Sequence, residues 1–388
     1  MAEDIVQLLQ RLIAIDSVNS HLGGKANAEF ALHVFLESWA KSAGFITTRL
    51  PIGSQSEGPN FNLLITYEVS EHAPWLLFES HSDTVGIDGM KIDPFASLIS
   101  EGKLHGRGAC DTKGSGAAML CALVEYTALH SHSQNIAVLF VTEEEISKSG
   151  VNAFVTKQLP GLSWVPRGVI VGEPTNCELV VAHNGVIRWK VAVKGLAAHS
   201  SNPSLGKSAI SKMAKLLLVF EKQYCEKLDL VHPLTGRAAC SVNVISGGDS
   251  VNIIPAHCEV TIDRRVLPGE ISSQIIRDYS KVINDIAARD GDMEVEIQLA
   301  FIDRALDPLT NRELASKVSE VLDSLGFHSA ERGVGYGTDA STYSYANIPA
   351  IVLGPGSIEQ AHTSDEWVDI SELHKAQAIY LELMRMKF

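Results

Sequence analysis

Basic excess is what this chain most lacks. Its 32 lysines and arginines are outnumbered by 46 aspartates and glutamates, a formal net charge of −14. That balance argues against nucleic acid and anionic membrane as partners, since both demand a basic surface. Long apolar runs are missing too. The longest, such as IAVLFV at 136–141, are far too short to span a bilayer. Six cysteines (Cys110, Cys121, Cys177, Cys225, Cys240, Cys258) form no CxxC pair and no dense framework, so free thiols in a reducing compartment are expected. The start, MAEDIVQLLQRLIAIDSV, has no basic region before its apolar positions and reads as an amphipathic helix, not a signal peptide; the expected location is cytoplasmic. Neither GGDSVN nor GRGACD has the glycine and lysine spacing of a nucleotide loop, and no internal repeat or low-complexity tract is evident.

What remains is an ordinary globular composition, 388 residues with 45% hydrophobic and 20% charged, enough for one large domain and a smaller one. Apolar runs at 61–69, 75–81, 136–142 and 167–172 read as buried strands, with helical periodicity near 27–44 and 113–130. This predicts an α/β domain with a central mixed, largely parallel sheet flanked by helices. From about Val186 the pattern changes: strand VIRWKVAVKG, a helix at 206–224, strands at 240–246 and 256–266, a helix at 271–289 and a closing strand Val295–Leu299. The tail then returns to a helix at 311–325, a strand at 350–354 and a helix at 371–386. The expected organisation is 1–183 and 299–388 as one domain, with an α+β domain at 184–298 inserted into it.

Five potential metal ligands stand where these runs end: His81 in HSD, Asp111 in GRGACDTKG, Glu145 in TEEE, Glu173 in GEPT and His362 in GSIEQAH. Ligands of open α/β sheets collect outside the carboxyl ends of the strands. Two histidines and three carboxylates suit zinc, with cobalt or manganese as substitutes, and not the thiolate cage of a structural site. Two ions sharing one carboxylate would serve hydrolysis by an activated water. Singly, each acidic residue is most often a solvated charge; the framed set is what points to a site.

In order along nearly the whole chain, HSDTV at 81–85, GRGACDTKG at 106–114, TEEE at 142–145, GEPT at 172–175, GLAAHSS at 195–201, SVNIIP at 250–255, DRRVLPG at 263–269, GTDAS at 337–341 and GPGSIEQAH at 354–362 resemble the motifs of the zinc-dependent exopeptidases and deacylases that include acetylornithine deacetylase, succinyl-diaminopimelate desuccinylase and glutamate carboxypeptidase. The GPGSIEQAH…DEWV ending looks most like the acetylornithine deacetylase branch. The resemblance implies two zinc ions bridged by Asp111, one completed by His81 and Glu173 and the other by Glu145 and His362. It further implies Asp83 behind His81, Glu144 as general base, and His199 as a donor to the oxyanion across a dimer interface. Asn252 and Arg265 would take the substrate's α-carboxylate, an anion that the planar guanidinium fork suits. Thr338 and Asp339 would contact substrate or shape a turn. The implied partners are a small N-acyl amino acid or dipeptide and a second copy of the chain, joined through the inserted domain. N-acetylornithine deacetylation is the leading reading. A dipeptidase, a glutamate-type carboxypeptidase or a desuccinylase is the same-fold alternative, and a metal-binding homologue without turnover is the alternative of a different class. Ser80, Ser82, Thr112 and Glu143 depart from the common pattern.

Overall fold

The computed structural model describes residues 4–53 and 60–388; the acidic Glu3 of the N-terminal reading lies outside them. The chain divides into two compact units, one of Met1–Val181, Pro308–Arg332 and Thr338–Phe388, the other of Ala182–Asp307 and Gly333–Gly337. The smaller unit therefore runs several residues beyond the expected 184–298. Its last strand, Glu294–Asp303, continues past Leu299 after a register shift, pairing Phe301, Ile302 and Asp303 with Arg188, Ile187 and Val186.

The larger unit is organised on a twisted sheet whose strands run, from one edge, Ile46–Pro51, Phe61–Tyr67, Asn135–Val141, Trp75–His81, Pro166–Val171 and Ala350–Val352, with Val180–His183 and Arg332–Val334 extending the order. Its centre is parallel: Trp75–His81 pairs in parallel with both Asn135–Val141 and Pro166–Val171, which in turn pairs with Ala350–Val352. Antiparallel pairs flank this centre. This is the mixed α/β sheet expected. Two neighbouring strands near the centre, WLLFESH and NIAVLFV, are buried at every position, because helices cover parallel strands on both faces. Lys113–Thr127 is one such helix, packed against both Trp75–His81 and the C-terminal helix Ile370–Arg385.

The N-terminal helix Ile5–Ile13 buries Ile5, Leu8, Leu9, Leu12 and Ile13 and is capped by the Asp4 carboxylate, which accepts from Val6 N at 3.0 Å. Each of those side chains contributes about 1.5–3 kcal/mol on burial. The far end of the helix is held by Lys113, whose buried ammonium donates to the carbonyls of Leu12 and Ile15 at 3.0 and 2.8 Å. Among the described residues no helix is long and apolar enough to cross a membrane. All six cysteines are free.

The smaller unit is a four-stranded antiparallel sheet in the order Ala239–Gly247, His257–Val266, Gly185–Lys194, Glu294–Asp303. Helices Ala209–Gln223 and Ser272–Arg289 pack on it. Its core centres on Trp189, stacked on Tyr279 with ring centroids 3.7 Å apart, together with Val191, Ile262, Leu216 and Ile283.

Candidate metal centre

The centre is built at the carboxyl ends of three adjacent strands and two loops. His81 is the last residue of Trp75–His81. Glu173 follows Pro166–Val171 after Gly172, whose N–H donates to Glu79 O at 2.8 Å. Close packing fixes Glu173: a Cβ on Gly354 would lie 2.6 Å from Glu173 O and 2.5 Å from Ser115 Oγ, so only glycine lets these segments approach. Asp111 precedes the helix Lys113–Thr127, and its peptide bond to Thr112 is cis.

Glu144 and Glu145 come from the loop after Asn135–Val141. Glu143 adopts a left-handed backbone, φ 58°, and its carboxylate accepts from the hydroxyls of Ser147 and Ser149 at 2.8 and 2.6 Å. The strand alternation thereby ends, and the next two N–H groups turn onto one acceptor: Glu144 N donates to Asp83 Oδ1 at 3.0 Å and Glu145 N to Oδ2 at 3.2 Å. Asn19 Nδ2 adds a third bond at 2.8 Å. Asp83 stands behind His81 on the Nδ1 side. His81 Nδ1 hydrogen-bonds the main-chain carbonyl of Asp83 at 3.0 Å, while the carboxylate stands 3.5 Å off, because its oxygens are committed to the glutamate loop.

The five expected ligands converge. Asp111 divides its carboxylate between the two imidazoles: Oδ1 is 3.0 Å from His81 Nε2 and Oδ2 is 3.2 Å from His362 Nε2. Glu173 Oε1 stands 4.0 Å from His81 Nε2 on one side, and Glu145 Oε1 stands 3.2 Å from His362 Nε2 on the other. His81, Asp111 and Glu145 each offer an atom within 4.8 Å of one another, as do His81, Glu144 and Glu173. His362 is half-exposed, with a left-handed backbone; the others are largely buried.

Such crowding has a charge consequence. Burial and the neighbouring Asp111 push the Glu173 carboxyl well above its usual range, and burial raises Glu145 to about 7 against the opposing effect of His362. Asp111 is held low despite its burial by His362 and His81. Burial alone would lower the His81 pKa, but the Asp111 and Asp83 carboxylates outweigh it. Three carboxylates and two imidazoles with their lone-pair atoms facing one another are a donor set that divalent cations would satisfy.

Glu144 is also driven upward by burial, with Lys148 opposing. The Lys148 ammonium lies 3.5 Å from Glu144 Oε1 and 4.0 Å from Asp339 Oδ1. Thr338 and Asp339, candidates for substrate contact, are fully buried. Thr338 shapes the turn, accepting from Ala340 N through Oγ1 and from Ser341 Oγ through its carbonyl.

Two of the departures from the common pattern answer each other. Ser80 Oγ and Thr112 Oγ1 are hydrogen-bonded at 2.8 Å, and Thr112 Oγ1 donates to His81 O at 3.1 Å. Ser82 Oγ bonds the buried His33 Nε2 at 2.6 Å. Sequence reasoning passed over His33, Asn19 and Lys148, which sit in no ligand frame, and gave no role to Arg107 of GRGACDTKG or Glu366 of DEWV. The last two carry a large share of the loop contacts: Glu366 accepts from the main chain at Gly108, Cys110 and Asp111. The EW dipeptide four residues after His362 was its only sequence trace.

Within the smaller unit, the short pairing of Ala198–His199 with Ile253–Ile254 brings His199 beside Asn252, whose carbonyl accepts from Ser200 N at 2.9 Å. Ser201 N donates to His199 Nδ1 at 3.2 Å, which fixes the tautomer with the proton on Nε2. Arg264 and Arg265 point to opposite faces of His257–Val266, as adjacent strand residues must. Arg264 is buried against Glu270 at 2.6 Å, and Arg265, partly exposed, pairs with Asp263 at 2.9 Å.

A mixed α/β sheet with two histidines and three carboxylates gathered at its strand ends defines a hydrolase of the metal-dependent class. The match to Peptidase family M20/M25/M40 covers residues 77–386. The chain belongs to that family. It is 30% identical to the acetylornithine deacetylase of Proteus mirabilis over 98% of this chain and 95% of the relative. Among solved structures, it resembles the aminopeptidase PepT of Bacillus cereus, with a TM-score of 0.79 at 19% identity and 99% and 98% coverage of the two chains. A dinuclear metal-binding peptidase of the M20 family from Bacillus subtilis matches with a TM-score of 0.73 at 16% identity, covering 98% and 96%.

Proposed function

We propose that this protein removes the acyl group from an N-acyl amino acid, with N-acetylornithine as the preferred substrate and ornithine and acetate as products. The observation that carries the reading is the division of the Asp111 carboxylate between His81 and His362, each backed by a further glutamate. In this reading His81, Glu173 and Asp111 would hold one zinc ion and His362, Glu145 and Asp111 a second, with cobalt or manganese able to substitute. When bound, the ions supply Lewis acidity to the amide carbonyl and make water reactive near neutral pH.

The chain's own residues do the rest. Glu144, raised by burial, takes the proton of the attacking water and delivers it to the departing amine, which needs a carboxylate of elevated basicity. Lys148 at 3.5 Å holds it in place. His199, with its proton on Nε2, donates to the developing oxyanion, a contribution of a few kcal/mol for one such donor. Arg265 and Asn252 hold the substrate's α-carboxylate, the arginine exchanging Asp263 for the substrate. The smaller unit joins two copies of the chain into a homodimer. The choice of acetylornithine rests on the Proteus mirabilis relative, similar across nearly the full length of both chains.

Measured kcat/KM values test the substrate, with zinc-loaded protein supplied in parallel with N-acetyl-L-ornithine, N-succinyl-diaminopimelate, other N-acetyl amino acids and dipeptides. Acetylornithine is expected to lead. A leading dipeptide would keep the chemistry and overturn the substrate.

A further inference from the structure

One buried ion pair outside the ligand set ties the two loops of the centre together. Glu366 is 1% exposed, and Arg107 only 3%. Each Glu366 oxygen accepts twice: Oε2 from Arg107 Nη1 at 2.7 Å and Gly108 N at 3.1 Å, Oε1 from Cys110 N at 2.9 Å and Asp111 N at 3.1 Å. The main chain repeats the connection, with Gly106 N donating to Glu366 O at 3.0 Å. Arg107 reaches back through Nη2 to Thr363 O at 3.2 Å, next to His362. The 106–111 segment thus wraps a carboxylate belonging to the loop that carries His362. Charge-assisted bonds of this kind are the strong ones, and a carboxylate with every donor in place holds its surroundings in one arrangement.

Resting on the two-ion reading above, we propose that Glu366 and Arg107 are positioning residues that set the distance between Asp111 and His362, and so govern the ion held with Glu145 and His362. Neither touches a ligand side chain; they act through the main chain of Asp111 and of the His362 loop. The other half of the centre has separate support. His81 and Glu173 sit at the ends of adjacent sheet strands, which the clamp does not touch. Asp111 serves both ions, but His362 is reached by the clamp and His81 and Glu173 are not, so disturbing the clamp weakens the ion held with Glu145 and His362 more than the other.

Glu366→Gln places an amide donor against main-chain N–H groups, and Arg107→Lys keeps the charge while losing the second arm to Thr363. Zinc and cobalt titrations of wild type and both variants, starting from chelated protein, read the effect. Wild type is expected to take up two equivalents. The variants are expected to bind one equivalent about 10–100-fold more weakly and to lose much less affinity for the other, with an altered visible spectrum of the dicobalt form. Glu366→Asp is expected to restore part of the lost affinity. Thermal unfolding of the chelated proteins separates loss of fold from loss of an ion, and if Glu366→Gln does not fold, Arg107→Lys carries the test. Two tight equivalents and an unchanged cobalt spectrum in a folded variant overturn the clamp, as does an equal loss of both equivalents. A wild-type protein that binds no metal would instead overturn the two-ion reading itself.

Discussion

At the scale of single residues, Glu144 has the surroundings of a base: a buried carboxyl raised by desolvation, facing the Lys148 ammonium at 3.5 Å. Glu144→Gln keeps the shape and removes the proton acceptor. It is expected to lower kcat by about a hundred- to ten-thousand-fold while KM and bound metal stay as in wild type; steady-state kinetics with metal analysis reads this, and an active variant would remove Glu144 from the mechanism. His33 gives a pH effect of known sign. It is fully buried, with one nitrogen on Phe61 O at 2.7 Å and the other on Ser82 Oγ at 2.6 Å, and burial lowers its pKa to about 4 from 6.5. The unfolded chain then binds the proton more readily than the folded one. The stability this neutral histidine contributes is present above pH 6.5 and is lost as pH falls through 4. At about 1.4 kcal/mol per pH unit, the loss over that window is roughly 3 kcal/mol. In urea unfolding of the chelated protein, His33→Asn should show a shallower decline between pH 6.5 and 4 than wild type; parallel declines would contradict the assignment.

At the scale of elements, the ligand frames were readable because each ligand sits where an apolar run stops. The strands end at His81, Val141 and Val171, and chemistry resumes within a few residues of each. Helices came out near their expected positions, as 27–44 against Glu29–Ser42 and 271–289 against Ser272–Arg289, because their apolar stripes recur at helical spacing. The edge strand Ile46–Pro51 gave no such signal. Its residues ITTRLP are mostly exposed, so main-chain pairing, not hydrophobic pattern, makes the strand. The Arg107–Glu366 pair was illegible for another reason: its partners lie 259 residues apart and neither belongs to a periodic pattern. Packing between elements yields its own test. Gly354→Ala puts a methyl against Glu173 O and Ser115 Oγ, and should cost about 1–3 kcal/mol and weaken metal binding through Glu173. Gly161→Ala meets nothing within 4 Å and should be nearly silent. Equal thermal stability of the two variants would argue against the tight packing of Gly354 on Glu173.

The whole molecule divides into two compact units; the five candidate ligands lie in the larger, and His199, Asn252 and Arg265 in the smaller. A donor supplied by a second copy requires a dimer, so sedimentation at micromolar concentration should give twice the 41.9 kDa chain mass. A monomer with full activity would remove His199 from the role of a donor across an interface. The most direct test is a crystal structure of zinc-loaded protein with anomalous data at the zinc edge. Two peaks about 3.5–4 Å apart on either side of the Asp111 carboxylate, one beside His81 and Glu173 and one beside Glu145 and His362, are the predicted result. A single peak, or peaks elsewhere, would contradict the shared-carboxylate centre on which the proposed chemistry depends.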